Sequence, residues 1–431
     1  MRLPRLRLRA LGVLAAGALV VAGCGSKDDK KTTTTTKTST TTIAKVNTDD
    51  LDHFTVYISL NFEGLSKPSA DSIFNAAQLA LEQARARAGG LPVQLVALDD
   101  GLPTTGTTDP GAIAQNAHTA TGDASTIAYI GDQGSGDTAR SLPITNRAGI
   151  LQVSATNTAP GLTQSGGKDK SEPARYYPSG VRTFGRLVPT DKVQAAAQVQ
   201  LMGLLSCRSV GIIDDGGLFG SGLAQQVATI GTQKGLTITK RATANLETGN
   251  GFDAVGTVAG TGPSCVVFAG SSSTKVINLW NRLHATLPNA QLIGPDSLAN
   301  AEFALRIGAA GATTYLTTPT VASKYFNEAG QDFLTTYQQR FGGTPDPSGV
   351  YGYETMRAVL AAIDAAGTRP TRANVVAQFF AIRNRPSALG TYSITNTGDS
   401  TLTQYGSYRI ENGALAFDRV LRPSLTTTTS G

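Results

Sequence analysis

An α/β fold of two doubly wound lobes is what this sequence predicts, and three observations predict it. Short runs rich in strand-forming residues alternate with longer stretches of helical periodicity, the βαβ rhythm of a parallel sheet covered by helices on both faces. The rhythm stops at a Gly/Ser/Lys-rich stretch, 163–177, and then restarts, so there are two α/β units of similar size. About 370 residues, 51 to 422, are available for them, enough for two domains of ordinary size.

The elements follow in order. Residues 54–60 are the first strand. Ile73, Ala76, Ala77, Ala80, Leu81 and Ala84 then recur along one face of a helix, with Gly89-Gly90 as its expected stop. A strand at 93–98, a helix at 110–120, a strand at 126–130, a helix near 138–148 and a strand at 150–153 complete the first unit. In the second unit strands are expected at 210–214, 236–242, 266–269, 291–293 and 313–316, with helices near 190–205, 220–234 and 274–286. Ligands of such sheets sit at the carboxyl ends of the strands, and with two lobes the natural site is the cleft between them.

The first 24 residues say where the chain works. Arg2, Arg5, Arg7 and Arg9 precede an apolar run of about a dozen residues, too short to span a bilayer as a mature helix. The run ends in Val21-Ala22-Gly23-Cys24, which resembles the lipobox of bacterial lipoproteins. Residues 1–23 would be the signal peptide and Cys24 the lipid attachment site, which tethers the chain to the outer face of the cytoplasmic membrane. Residues 24–50, dominated by Thr, cannot bury a core and read as a disordered linker with a reach of roughly 25–30 Å. Residues 423–431 read as a disordered tail.

The formal net charge of +6 misleads, because cleavage before Cys24 removes four arginines and no acids and leaves about +2. That is no electrostatic footprint for nucleic acid. His53, His118 and His284 have no ligand-like spacing, so no metal is expected, and no cofactor motif is found. The sequence holds no G-x-S-x-G, H-E-x-x-H or G-x-x-x-x-G-K-[ST] motif, so no catalysis is expected. Gly216-Gly217-Leu218-Phe219-Gly220-Ser221-Gly222 follows a strand and opens a helix, but its spacing is that of a structural turn rather than G-x-G-x-x-G. An oxidising compartment permits Cys207 and Cys265 to pair, with two free buried cysteines as the alternative. Each directly precedes a strand of the second unit, and in the usual doubly wound order those strands are parallel neighbours, so a bridge is expected.

Three polar clusters each come just after a strand: Gly131-Asp132-Gln133-Gly134-Ser135, Ser154-Ala155-Thr156-Asn157 and Gly294-Pro295-Asp296. A hydroxyl with free N–H groups at a helix start suits an anion, and a carboxylate facing the same cleft suits a cation. Together they suit a zwitterion.

These clusters, with Val188-Pro189-Thr190-Asp191, Phe219-Gly220-Ser221-Gly222, Asp346-Pro347-Ser348-Gly349 and Tyr351-Gly352-Tyr353-Glu354, resemble in order and spacing the type I periplasmic binding proteins of the Leu/Ile/Val-binding family. The resemblance spans about residues 55–419, and Leu389-Gly390-Thr391-Tyr392 and Thr397-Gly398-Asp399 are similar to the closing segment that returns to the second lobe. It implies that Ser135 and Thr156 hold a ligand carboxylate. The ammonium would go to the Ser154 carbonyl, the Thr156 hydroxyl and Asp296, with Ala155 between them. Phe219 stands where the second lobe usually offers an aromatic. Gln133 replaces a residue that is apolar in the branched-chain binders, and Ser271 with Ser272 sits where aromatics often close the pocket, so a large aliphatic side chain is not expected.

The resemblance further implies lobes of 51–188 with 320–389 and of 189–319 with 390–422, closing about hinge strands near 186–190, 318–322 and 388–391. The expected partners are a small solute (an amino acid or analogue), an ABC permease and, through the anchor, the membrane. The protein is expected to be a monomer. A ligand sensor reporting to a membrane signalling partner is the other reading.

Overall fold

The structure, a computed structural model, describes residues 48–165 and 169–424. Cys24, the leader, most of the Thr-rich linker and residues 425–431 lie outside the described residues.

The first sheet has six strands: β1 Phe54–Leu60, β2 Arg87–Ala88, β3 Leu91–Asp99, β4 Thr126–Gly131, β5 Leu151–Ser154 and β6 Phe184–Arg186. Their order is β2-β3-β1-β4-β5-β6, parallel except for β2 against β3. Helices α1 Lys67–Gln83, α2 Pro110–Gly122 and α3 Ser135–Arg147 connect them. Gly89-Gly90 does not stop α1, as the sequence suggested. The helix ends at Gln83, and the two glycines, both at positive φ, turn β2 back onto β3. Only residues tolerant of positive φ suit such a tight hairpin.

The second sheet runs β15-β14-β11-β10-β9-β7-β8. Its five-strand parallel core is β7 Ser209–Asp214, β8 Thr237–Thr243, β9 Cys265–Ala269, β10 Gln291–Gly294 and β11 Thr314–Thr318. Helices α4 Asp191–Leu204, α5 Leu218–Gln233, α6 Phe252–Ala259, α7 Thr274–Thr286 and α8 Ala301–Arg306 accompany it. The alternation did not single out α6 and α8, which have 8 and 6 residues, too short for a periodic signal. Cys207 and Cys265 are joined by a disulfide with Cα atoms 5.8 Å apart. They meet because Val210 on β7 is in register with Cys265 on β9.

Helices α9 Glu328–Phe341, α10 Gly349–Ala365 and α11 Arg372–Phe380 return to the first lobe, where α10 packs along α1. The hairpin β12 Arg385–Ser387 and β13 Gly390–Tyr392 follows, and β14 Tyr405–Glu411 and β15 Ala414–Leu421 then close the second sheet in antiparallel fashion. The third crossing is therefore later than the sequence suggested. Residues 388–391 do not cross: β13 pairs back on β12, and Tyr392, Ile394 and Leu402 pack into the first core. The chain passes over at 403–404. What holds it back is Asp399, ion-paired at 2.8 Å with the fully buried Arg186 of β6.

In each sheet the first parallel strand lies between the next two parallel strands, β1 between β3 and β4 and β7 between β8 and β9, so each has its topological switch at the carboxyl end of that first strand. Those ends face one cleft. Two apolar contacts bridge its rims: Leu218 of α5 packs against the first-lobe cluster of Leu142, Leu162, Tyr176, Tyr177 and Phe184, and Leu65 packs against the second-lobe core. No helix among the described residues is long and apolar enough to cross a membrane.

Candidate functional site

The interlobe cleft encloses about 1250 Å³. Gln133, Ser135, Ala155, Thr156, Phe219, Ser271 and Asp296, seven of the eight residues singled out from the sequence, line it. Ser154, the eighth, does not line the cleft. Its hydroxyl accepts the N–H groups of Thr156 (3.1 Å) and Asn157 (3.0 Å), and its carbonyl already accepts the Leu187 N–H at 3.3 Å. It shapes the turn and offers a ligand little.

Ser135 is the first residue of α3, with Gly134 as an extended N-cap. N–H groups at the first helical turn have no intrahelical acceptor, so the backbone here favours an anion. The Ser135 hydroxyl accepts from the Ala159 N–H at 3.2 Å and keeps its own proton to donate. Thr156 differs: its hydroxyl donates to the Gln133 carbonyl at 2.7 Å. In this arrangement Thr156 has lone pairs to offer and no free proton, so it is matched to an ammonium better than to a carboxylate.

A buried hydrogen-bond network fixes the turn that carries Gln133 and Ser135. Asn157 Nδ2 donates to the carbonyls of Asp132 (2.9 Å) and Gln133 (3.0 Å), and the Thr138 hydroxyl accepts the Asp132 N–H at 2.8 Å. The Asp132 carboxylate accepts from Tyr129 at 2.9 Å and from Ser141. Burial pushes Asp132 up to about 7, against those hydrogen bonds. Gln133 accepts the Asn61 N–H on its side-chain oxygen at 3.3 Å, which leaves the amide NH₂ for the cleft.

The facing wall belongs to the second lobe. Asp296 follows β10, is half-buried and accepts from Gln194 Nε2 at 2.8 Å. Burial pushes its carboxyl up to about 6, opposed by the Gln194 hydrogen bond and the Ser297 N–H. Phe219 rests partly on the second core. The exposed Ser271 donates its N–H to Asp215 at 2.8 Å, and Asp215 also caps the Gly217 N–H at 2.9 Å. The glycine-rich turn is thus wound around Asp215. A Cβ at Gly220 would meet the Asp215 carboxylate and lie 2.5 Å from the Ala269 carbonyl, so the glycines serve close packing.

Sequence reasoning passed over two acids. Asp191, at the start of α4, is fully buried. Burial drives it up to about 8 and the charge of Asp296 adds to the shift, against the Thr158 hydroxyl and the charge of Arg186. An acid directly after Val188-Pro189-Thr190 at a helix start was the available signal. Asp346, half-buried in the loop before α10, lines the cleft and accepts the N–H (3.1 Å) and hydroxyl (2.8 Å) of Ser348. The described residues hold no group of three His, Cys, Asp or Glu side chains suited to a metal ion.

The comparisons agree with this architecture. Residues 58–414 match the profile of the periplasmic binding protein family. The Leu/Ile/Val-binding protein BraC3 of Rhizobium johnstonii is 27% identical over 350 residues, which is 80% of this chain and 88% of that protein. Among solved structures, a leucine binding protein, LivK, from Thermotoga maritima superposes with a TM-score of 0.74 at 20% identity, covering 86% of this chain and 99% of that one. A solute binding protein from R. palustris in complex with benzoate gives 0.70 at 17% identity over 86% and 97%. The substrate binding protein LivJ from Streptococcus pneumoniae in complex with isoleucine gives 0.69 at 16% over 86% and 100%.

Proposed function

Because this chain belongs to the periplasmic binding protein family, we propose that it is an extracytoplasmic solute-binding lipoprotein that takes an amino acid or a related small polar solute into the interlobe cleft and delivers it to an ABC permease. Members of this family bind substrates rather than convert them. The observation that carries the reading is the opposition of two walls: the start of α3 with the Ser135 hydroxyl on one lobe, and the Asp296 carboxylate on the other. The first favours a carboxylate and the second an ammonium, and only a closed cleft brings both to one ligand. Closure about the crossings at 187–190, 319–326 and 403–404 would couple binding to the shape a permease recognises. Two relatives carry amino-acid names, which supports this ligand class.

The benzoate complex supports the rival reading, a carboxylate ligand without an ammonium. A thermal-shift screen over amino acids, amides and small carboxylates separates the two. A ligand at 100 times its Kd adds about 2.7 kcal/mol of stability. The amino-acid reading requires at least one amino acid to stabilise the protein and its deaminated analogue to fail. The anchor is tested separately. Cys24→Ser should release the protein from membranes or leave it unprocessed, and wild type and variant both fractionating as soluble mature protein would reject it.

A further inference from the structure

Gln133 brings a hydrogen-bond donor to the cleft that neither end of a zwitterion requires. Its side-chain oxygen accepts the Asn61 N–H at 3.3 Å. A backbone N–H can only donate, so the atom it meets is the oxygen and the free end of the side chain is Nε2. That NH₂ group has no acceptor among the described residues, and Gln133 is half-buried on the cleft wall.

The sheet order places this donor relative to the rest of the site. Strands β1, β4 and β5 lie side by side in that order. Ser135 follows β4, Thr156 follows β5 and Asn61 directly follows β1. Gln133 reaches to Asn61, so its amide lies on the β1 side of Ser135, away from Thr156. With a carboxylate at Ser135 and an ammonium towards Thr156, the β1 side is left for the ligand's side chain. The loop between β3 and α2 covers the same side. Asn61 Nδ2 donates to the Gly106 carbonyl at 3.0 Å, which brings Thr105, Thr107 and Thr108 to the cleft there.

Resting on the amino-acid reading above, we infer that the ligand's side chain ends in a carboxamide, whose oxygen accepts from Gln133 Nε2. An aliphatic side chain would cover Nε2 on closure and give it no acceptor, and a buried donor left unpaired is costly. An ammonium or guanidinium brings only donors. A carboxylate would share this side with Asp137, to which the Thr108 hydroxyl donates at 3.1 Å. A carboxamide meets none of these objections. It accepts from Gln133, and its NH₂ can donate to the hydroxyl oxygens of Thr105 and Thr107, which pair with each other at 2.8 Å.

The test is titration calorimetry of the mature protein with two pairs matched in size, glutamine with methionine and asparagine with leucine. In the better-binding pair the amide should bind about tenfold to a hundredfold tighter than its apolar counterpart, which leaves Nε2 unpaired in the closed cleft. In Gln133→Met, which keeps the length of the side chain and removes the donor, that ratio should fall towards one. Methionine and leucine binding as tightly as the amides in wild type would overturn the inference and leave the amino-acid reading standing, and that comparison needs no variant. Neither amide binding, while another amino acid raises the melting temperature, would overturn it in the same way. A ratio undiminished in a folded Gln133→Met would overturn the assignment to Gln133. No heat from any of the four, with no amino acid raising the melting temperature, would bring down the amino-acid reading and this inference together.

Discussion

Asp296→Asn separates the site's chemistry from its folding. The amide keeps an oxygen for Gln194 Nε2, now at 2.8 Å from the carboxylate, and loses only the charge. If the carboxylate holds the ligand ammonium, the variant forfeits a charge-assisted hydrogen bond of about 1.5–3 kcal/mol, or 10- to 100-fold in affinity. The free site carries a carboxyl raised to about 6 by burial. An ammonium stabilises the ionised form, so binding near that pH releases a proton. Affinity in wild type should be flat from pH 8 down to about 6 and fall below it, at most tenfold per pH unit, and the dependence should vanish in Asp296→Asn. The stability effect has the opposite sign. A folded-state pKa above the unfolded value means that ionisation penalises the folded protein above about pH 6, a penalty relieved as pH drops towards the ordinary carboxylate range. Ligand-free Asp296→Asn should therefore melt higher than wild type at pH 7.5 and no higher at pH 4. Titration calorimetry with the tightest amino acid, run from pH 5 to 8, reads the first effect, and calorimetric melting the second. Undiminished affinity in the variant, or a wild-type affinity independent of pH across that range, would refute the role given to Asp296.

Three further outcomes follow from the scaffold. Arg186 and Asp399 form a fully buried pair that ties β6 to the segment before the third crossing, and Asp399→Asn should cost about 3–5 kcal/mol in denaturant unfolding; a loss below 1 kcal/mol would show that the pair is dispensable. Asp399 is held down to about 2, chiefly by Arg186 against the opposing effect of burial, so its contribution is complete above the unfolded carboxylate range and should be lost as pH falls from about 4 to 2, a decline the Asn variant should lack. The disulfide closes a loop of 58 residues, for which chain entropy gives about 4 kcal/mol; the Cys207→Ser, Cys265→Ser double variant melting with wild type would contradict that. Leu218→Ala removes an apolar contact between the rims and should weaken ligand affinity about threefold to tenfold through a less stable closed state, for about 1 kcal/mol of lost burial; an affinity equal to wild type would show that the contact does not favour closure.

Most of the scaffold could be read from the sequence because its strands and helices are locally periodic. Residues 54–60 are six-sevenths buried and apolar-rich, and α1 presents Ile73, Ala76, Ala77, Ala80 and Leu81 to the core on one face. The position of Ser135, Thr156, Phe219, Ser271 and Asp296 in one cleft was legible for a topological reason. Each follows the carboxyl end of a strand, and a doubly wound sheet brings those ends together. What escaped was set by contacts far apart in sequence. The third crossing lies beyond 402 because Asp399 reaches back 213 residues to Arg186. Gly89-Gly90 looked like a helix stop because nothing local distinguishes it from a hairpin turn. Ser154 turned inward because its hydroxyl serves two N–H groups of its own turn. Asp346 escaped because its place on the cleft wall is a property of the fold, whereas Asp191, an acid directly after Val188-Pro189-Thr190 at a helix start, carried a local signal whose burial only the fold reveals.

The most direct measurement is a crystal structure of the mature protein with the tightest-binding amino acid. The ligand should lie between the lobes, its α-carboxylate on the Ser135 hydroxyl and the first N–H groups of α3, its α-ammonium within hydrogen-bond reach of Asp296. An amino group directed away from Asp296, or a ligand bound outside the cleft, would contradict the zwitterion site at its root.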